Sequence, residues 1–357
     1  MTATTEIPAQ EDLDAFLGRF VMDLGSALAG ANVVLGDRLG LYRALAARSG
    51  ATPAEVANDT GTDERFVREW LCGQAAGGYL EYDPGTQTFS MTAAQAFCLA
   101  DPLSPGYVPG AFQLAASVYK DDKLVQDAFR TGAGVGWHEH HADLFEGTER
   151  FFRPGYAANL VEAWLPALDG VEGKLLSGAR VADVGCGHGA STIIMAQAFP
   201  RSTFVGFDYH DESIAKARAA AEAAGVTDRV RFEVAGAADY PGTGYDLVAM
   251  FDCLHDMGDP VGASAHVLRS LDAGGAWLIV EPRAGDAVEE NLNPVGRIFY
   301  SASTLLCVPA SRSQEVGLCL GAQAGPARIE AVVREGGFGA FRTATETPFN
   351  LVFEARP

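Results

Sequence analysis

Two patterns of hydrophobic and polar positions are joined end to end in this chain. In the first half, apolar residues recur at helical spacing from Leu13 to about Ala47, with Gly25, Gly30 and Gly40 as interruptions. The runs beginning at Asp37, Thr52 and Thr62 predict three short helices. The second is marked by Thr52 as N-cap, Pro53 at the first helical position and Glu55 completing a capping box; Thr62 is read as the N-cap of the third. Tyr79 to Thr92 predicts a hairpin turning at Asp83-Pro84-Gly85. Three helices and a hairpin make a winged helix-turn-helix. Residues 101–180 read as a helical connector.

From Arg180 the pattern changes to a regular alternation of strand and helix. Strands are predicted at 180–184, 202–208, 229–235, 245–252 and 276–281, with helices near 190–199, 211–224, 259–271 and 326–336. Phe341–Glu346 and Asn350–Glu354 read as a closing antiparallel pair. The fold class is α/β: a mostly parallel, doubly wound, Rossmann-like sheet behind a mainly helical domain. Ligands are expected at the carboxyl ends of its strands. The boundaries read as 1–105, 106–177 and 178–357. About 45 residues between Glu281 and the last helix are long for one connection, so they are expected to contain a helix and to shape a pocket.

Composition changes this picture in what it excludes. The chain has 357 residues, 48% apolar and 20% charged, with a net charge of −20. Between Val33 and Ala100 stand five arginines, no lysine and eight acidic residues, which argues against a groove-reading DNA partner. Nothing approaches about 18 consecutive apolar residues, so no membrane partner is expected. Residues 1–17 carry acids and no basic residue, unlike a secretion signal, and read as a frayed leader. Six dispersed cysteines with no CxxC pair and no zinc spacing read as reduced thiols, so a cytoplasmic protein without a metal is expected.

Chemistry concentrates in Val181-Ala-Asp183-Val-Gly185-Cys186-Gly187-His-Gly189, a strand, a tight glycine turn and a helix start. Such a turn lets backbone approach a nucleotide-like ligand. Asp208 ends the next strand 19 residues beyond Gly189, where a carboxylate can accept both ribose hydroxyls; capping the helix that opens near Asp211 is the competing role. The GxGxG spacing, with Asp183 before it, resembles motif I of the class I S-adenosylmethionine-dependent methyltransferases. That resemblance implies S-adenosylmethionine as cofactor, held by Asp183, Gly185, Cys186, Gly187, Gly189, Asp208, Tyr209, Asp239, Phe251 and Asp252.

Leu254-His255-Asp256-Met257-Gly258-Asp259, after the fourth strand, resembles the His-Asp motif of small-molecule O-methyltransferases of plants and actinobacteria. The resemblance implies His255 as general base, with Glu281 orienting it. Histidine titrates near neutrality, and a phenol or hydroxyl acceptor with a pKa of about 10 or above needs a base. Two departures stand out: Met257 replaces an aromatic, and Asp252 replaces a tryptophan three positions before the histidine. An acid at 252 would suit a cationic acceptor and N-methylation. Asp239 is assigned to the adenine amine in the absence of an acid directly after Gly236.

The acceptor is expected to be a small, partly apolar molecule. Its pocket is assigned to Trp137 and His138 in the run Trp137-His-Glu-His-His141, to Phe152 and Tyr156, and to Tyr300. Glu315 is a candidate second carboxylate near His255. Similarity to winged-helix methyltransferases implies a homodimer formed through the N-terminal domain. The chain is also similar to actinobacterial proteins of this build labelled possible transcription regulators, which keeps a cofactor-sensing regulator open beside an O- or N-methyltransferase.

Overall fold

The computed structural model describes residues 8–357, and its contacts divide the chain into two compact units. Residues 1–7 of the predicted leader lie outside the described residues. The first unit runs to Ala116 and includes Glu146–Phe151; the second comprises Ser117–Phe145 and Phe152–Pro357.

In the first unit, a single helix Gln10–Arg38 passes through Gly25 and Gly30 without a break and ends before a left-handed turn at Gly40. Helices Leu41–Ala46, Pro53–Thr60 and Glu64–Ala76 follow, then the hairpin of β1 (Glu81–Asp83) and β2 (Thr88–Ser90). The capping box at Thr52 and Glu55 forms as predicted. The third cap does not: Asp63, not Thr62, accepts the amides of Arg65 and Phe66. Both residues are N-cap formers, and the carboxylate one position later is the stronger acceptor.

Val33, Tyr42, Leu45, Trp70 and Leu71 make the core of this unit. A buried polar cluster lies within it. Arg150 Nη2 donates to Asp37 Oδ2 at 2.6 Å and to the Tyr107 hydroxyl at 2.9 Å, and Tyr107 donates to Asp37. The long helix leaves Leu13, Phe16, Leu17, Phe20, Leu24 and Leu28 exposed. It is the one described helix long and apolar enough to cross a bilayer, with a mean hydropathy of 1.2 over its best 18 residues.

The second unit is built on seven strands: β3 (Arg180–Val184), β4 (Thr203–Asp208), β5 (Val230–Val234), β6 (Tyr245–Phe251), β7 (Leu271–Pro282), β8 (Ala340–Glu346) and β9 (Asn350–Arg356). Their order is β5-β4-β3-β6-β7-β9-β8. The first five are parallel; β9 runs antiparallel to β7, and β8 to β9. With one strand order running outward from β3 through β4 and the other from β6 through β7, the switch point lies between β3 and β6. Apolar residues from both faces of the central strands are buried in two separate clusters, which is why those strands read as nearly unbroken apolar runs. The region after β7 contains the expected helix, Pro294–Ala302, capped by Asn293 and continued by a π-helical turn, Ser303–Cys307.

Candidate functional site

The carboxyl ends of β3, β4, β6 and β7 deliver Gly185, Asp208, Asp252 and Glu281 to one edge of the sheet. The loop after β3 has all three glycines at positive φ: 76° at Gly185, 53° at Gly187 and 81° at Gly189. A Cβ on Gly189 would lie 2.5 Å from the Phe232 ring, whereas one on Gly187 would meet nothing within 4 Å. Gly189 is needed for packing against the sheet. Gly187 leaves a free cradle at the turn.

Asp208 secures this loop: its Oδ2 accepts the Gly187 amide at 2.9 Å and its Oδ1 the His210 amide at 2.9 Å. It does not cap the following helix, because His210 holds that position. Asp183, 1% exposed, accepts the Ser191 and Thr192 hydroxyls on Oδ2, each at 2.6 Å. Its Oδ1 is buried with no hydrogen-bond partner among the described residues. Burial raises Asp183 to about 6, against the pull of those two hydroxyls. An unpartnered carboxylate oxygen beside an open glycine cradle suits a ligand with a cationic group and a close backbone approach.

After β6 the chain turns at Asp252, a non-glycine residue with φ 51°. Its Oδ1 accepts Asn350 Nδ2 at 2.9 Å and its Oδ2 the Tyr156 hydroxyl at 3.1 Å. Burial, then the Glu281 charge, raises Asp252 to about 8. Tyr156 stacks on Phe152 at 6.0 Å and packs on Phe251 at 5.3 Å. Phe251 itself belongs to the core cluster.

His255 is 4% exposed. Its Nδ1 lies 2.5 Å from Glu281 Oε2, and Glu281 Oε1 accepts the Leu254 amide at 3.0 Å. An ionised carboxylate only accepts, so the proton sits on Nδ1. Nε2 lies 3.1 Å from Asp256 Oδ1. Burial works against the imidazolium, but the Glu281 and Asp256 carboxylates raise His255 well above its usual value.

The other assigned residues are spread more widely. Trp137 is brought to the pair, donating Nε1–H to Asp256 Oδ2 at 3.2 Å. His138 and Asp239 are exposed, and Tyr209 is 51% exposed. Asp239 Oδ1 accepts the Gly236 amide at 3.0 Å. Cys186 is buried, Tyr300 is partly buried on Pro294–Ala302, and Glu315 is exposed. In place of Glu315, Asp256 supplies the second carboxylate beside His255, because the residue adjacent in sequence is carried there by the 3-10 turn Leu254–Asp256. Two features were missed. Cys307 is buried beside the His-Asp pair, and His140, with a side chain 1% exposed, rests its Nδ1 on Asp121 Oδ2 at 3.0 Å.

Residues 175–325 match the family described as a methyltransferase domain, and residues 27–101 match an Rv2258c-like winged HTH domain. No curated protein matches the chain by sequence. Among solved structures, the chain is similar to an O-methyltransferase family protein from Burkholderia thailandensis, with a TM-score of 0.69, 19% identity, and 98% and 99% of the two chains covered. It is also similar to human N-acetylserotonin methyltransferase in complex with S-adenosylmethionine, at TM-score 0.68, 17% identity and 99% of each chain. Mitomycin 7-O-methyltransferase gives 0.69, 19%, and 97% and 100%. The likeness is one of fold.

Proposed function

We propose, for a chain that carries a class I methyltransferase domain behind a winged helix-turn-helix domain, transfer of the methyl group of S-adenosylmethionine to an oxygen of a small, partly apolar molecule. His255 takes the acceptor's proton. When bound, the cofactor supplies an activated methyl group on a sulfonium, so the protein has mainly to align an oxygen for in-line attack. Asp183 and the glycine loop are assigned to the cofactor's amino-acid end, and Asp208 to its ribose. The unpartnered Asp183 Oδ1 and the open space at Gly187 support this assignment.

The observation that carries the reading is the His255–Glu281 pair, formed across the ends of adjacent strands β6 and β7. Glu281 holds the tautomer with hydrogen on Nδ1, leaving Nε2 as the proton acceptor, and stabilises the imidazolium that results. With the pocket empty, the two carboxylates favour a charged ring. To act as base the ring must be neutral at Nε2, and a cationic ligand bound beside it would oppose the ring's charge and favour that form.

Asp252 favours oxygen over nitrogen as the acceptor. Both of its oxygens already accept from neutral donors, and at about 8 it is mostly uncharged at neutral pH. It is therefore a poor counter-ion for an amine. The test is S-adenosylhomocysteine release with a panel of phenols, alcohols and amines. His255→Ala is expected to lose at least about a hundredfold with the true acceptor; a loss under tenfold would favour an amine acceptor instead.

The first unit is proposed as a dimerisation module that does not read DNA. On Glu64–Ala76, Arg65 pairs with Glu69 at 2.5 Å and Arg68 with Glu64 at 3.2 Å, so its cations are matched on the same helix. The exposed apolar stripe of Gln10–Arg38 suits a second copy of the chain better than a bilayer-spanning role, since Asp14, Arg19 and Asp23 stand on the other faces of the same helix, where a spanning segment would have to bury them.

A further inference from the structure

We infer that His255, Asp256 and Cys307 form a binding site for a divalent transition metal of borderline softness, zinc foremost. An ion held there suppresses methyl transfer by occupying the nitrogen that would take the proton. The inhibitory half rests on the methyl-transfer reading; the binding half does not.

The three side chains are buried, and their ligand atoms lie within 4.8 Å of one another. Zinc bonds of about 2.0–2.3 Å to nitrogen, oxygen and sulfur place tetrahedral ligand atoms roughly 3.3–3.8 Å apart. The 3.1 Å separation of His255 Nε2 and Asp256 Oδ1 is near that range. These two atoms approach without hydrogen bonding, and Asp256 Oδ1 is buried with no hydrogen-bond partner among the described residues. With no ion bound, only the edge of the His255 ring, 3.1 Å away, faces this oxygen, and an ion would engage both atoms at once.

The surroundings match what metal ligands require. Glu281 sits behind His255 on Nδ1, a carboxylate–histidine pairing that orients Nε2 toward an ion. Trp137 fixes the second Asp256 oxygen. Cys307 is set by the segment that follows it, which is sewn to the His-Asp loop. Gln314 Oε1 accepts the Gly258 amide at 2.8 Å, its Nε2 donates to Asp256 O at 3.1 Å, and the Ser311 hydroxyl donates to Met257 O at 2.8 Å. Imidazole, carboxylate and thiolate together suit zinc or cobalt(II) over magnesium or calcium. Three protein ligands leave one position open.

The binding test uses full-length protein stripped with a chelator and titrated with zinc against a chromophoric chelator. One equivalent is expected to bind, and Cys307→Ser is expected to weaken binding by roughly a hundredfold. Cobalt(II) should give a thiolate-to-metal absorption band in the wild type that Cys307→Ser lacks. No stoichiometric binding, or equal binding in both proteins, overturns the site. Zinc should abolish S-adenosylhomocysteine release by the wild type in step with occupancy; full turnover with zinc bound overturns the inhibitory half. If metal-free protein shows no turnover with any acceptor, the methyl-transfer reading falls while the titration still decides the metal site.

Discussion

Glu281 grips the His255 turn twice, with Oε2 2.5 Å from His255 Nδ1 and Oε1 accepting the Leu254 amide at 3.0 Å. One carboxylate thus sets both the ring's tautomer and the backbone that carries it. Glu281→Gln keeps the shape, but its amide can present a donor to Nδ1 and so permits the wrong tautomer. The expected result is a kcat reduced by about ten- to a hundredfold with the cofactor's Kd nearly unchanged. Steady-state kinetics beside calorimetry separate the two; a change confined to cofactor affinity would move Glu281 out of the proposed role.

Gly187 and Gly189 separate function from folding within one turn. At Gly189 an added Cβ would strike Phe232 at 2.5 Å with φ at 81°, so Gly189→Ala should cost about 2–4 kcal/mol of stability. At Gly187 the space is open, so Gly187→Ala should cost only about 1 kcal/mol for its positive φ of 53°. The cofactor is proposed to fill that space. Urea unfolding should rank Gly189→Ala as the more destabilised variant, while Gly187→Ala should lose cofactor affinity by tenfold or more out of proportion to its stability change.

Asp183 gives a pH dependence of known sign. Its folded value of about 6 lies above the ordinary 3.8, so its contribution is fully present below pH 4 and is lost as pH rises through 6. The loss corresponds to about 3 kcal/mol at neutral pH. Asp183→Asn retains an acceptor for Ser191 and Thr192 without the charge. Its stability relative to the wild type should be near zero at pH 4 and should grow to a gain by pH 7 in the ligand-free protein. Cofactor binding should fall at the same time, because the variant lacks the anion assigned to the ammonium group. A variant less stable at pH 7 than at pH 4, relative to the wild type, would contradict the burial argument.

Local patterns carried most of the second unit. Strands β3 to β6 appear where Val, Ile, Leu and Phe run together between glycine and acidic breaks, and their ends agree with the prediction to within about a residue. His255 and Glu281 were legible because one lies in the turn just after β6 and the other near the end of β7. Contacts between distant segments were not. Nothing near Cys307 points to a residue 52 positions earlier in the chain; only the π-helical turn after Pro294–Ala302 brings it to His255. The Arg150–Asp37 pair spans 113 positions and has no periodic signature. Thr62 and Asp63 show the same limit at short range: two adjacent capping residues differ by one position, and acceptor strength decided between them.

The exposed stripe on Gln10–Arg38 carries the last prediction. Phe16 is 61% exposed and Phe20 51% exposed, with Leu13, Leu17, Leu24 and Leu28 spaced by three or four residues along the same helix. An apolar face of this kind in water marks an interaction surface. Dimer formation through this stripe would bury the aromatics at its centre, where a single contact contributes about 2 kcal/mol or more, roughly thirtyfold in dissociation constant. Phe20→Glu adds the cost of desolvating a charge against an apolar partner. Sedimentation velocity of the wild type at micromolar concentration should show a dimer, and Phe20→Glu should shift it to a monomer with an unchanged helical circular dichroism signal. A wild type that sediments as a monomer would remove the second copy as the occupant. Flotation of the wild type with liposomes would assign the stripe to lipid instead.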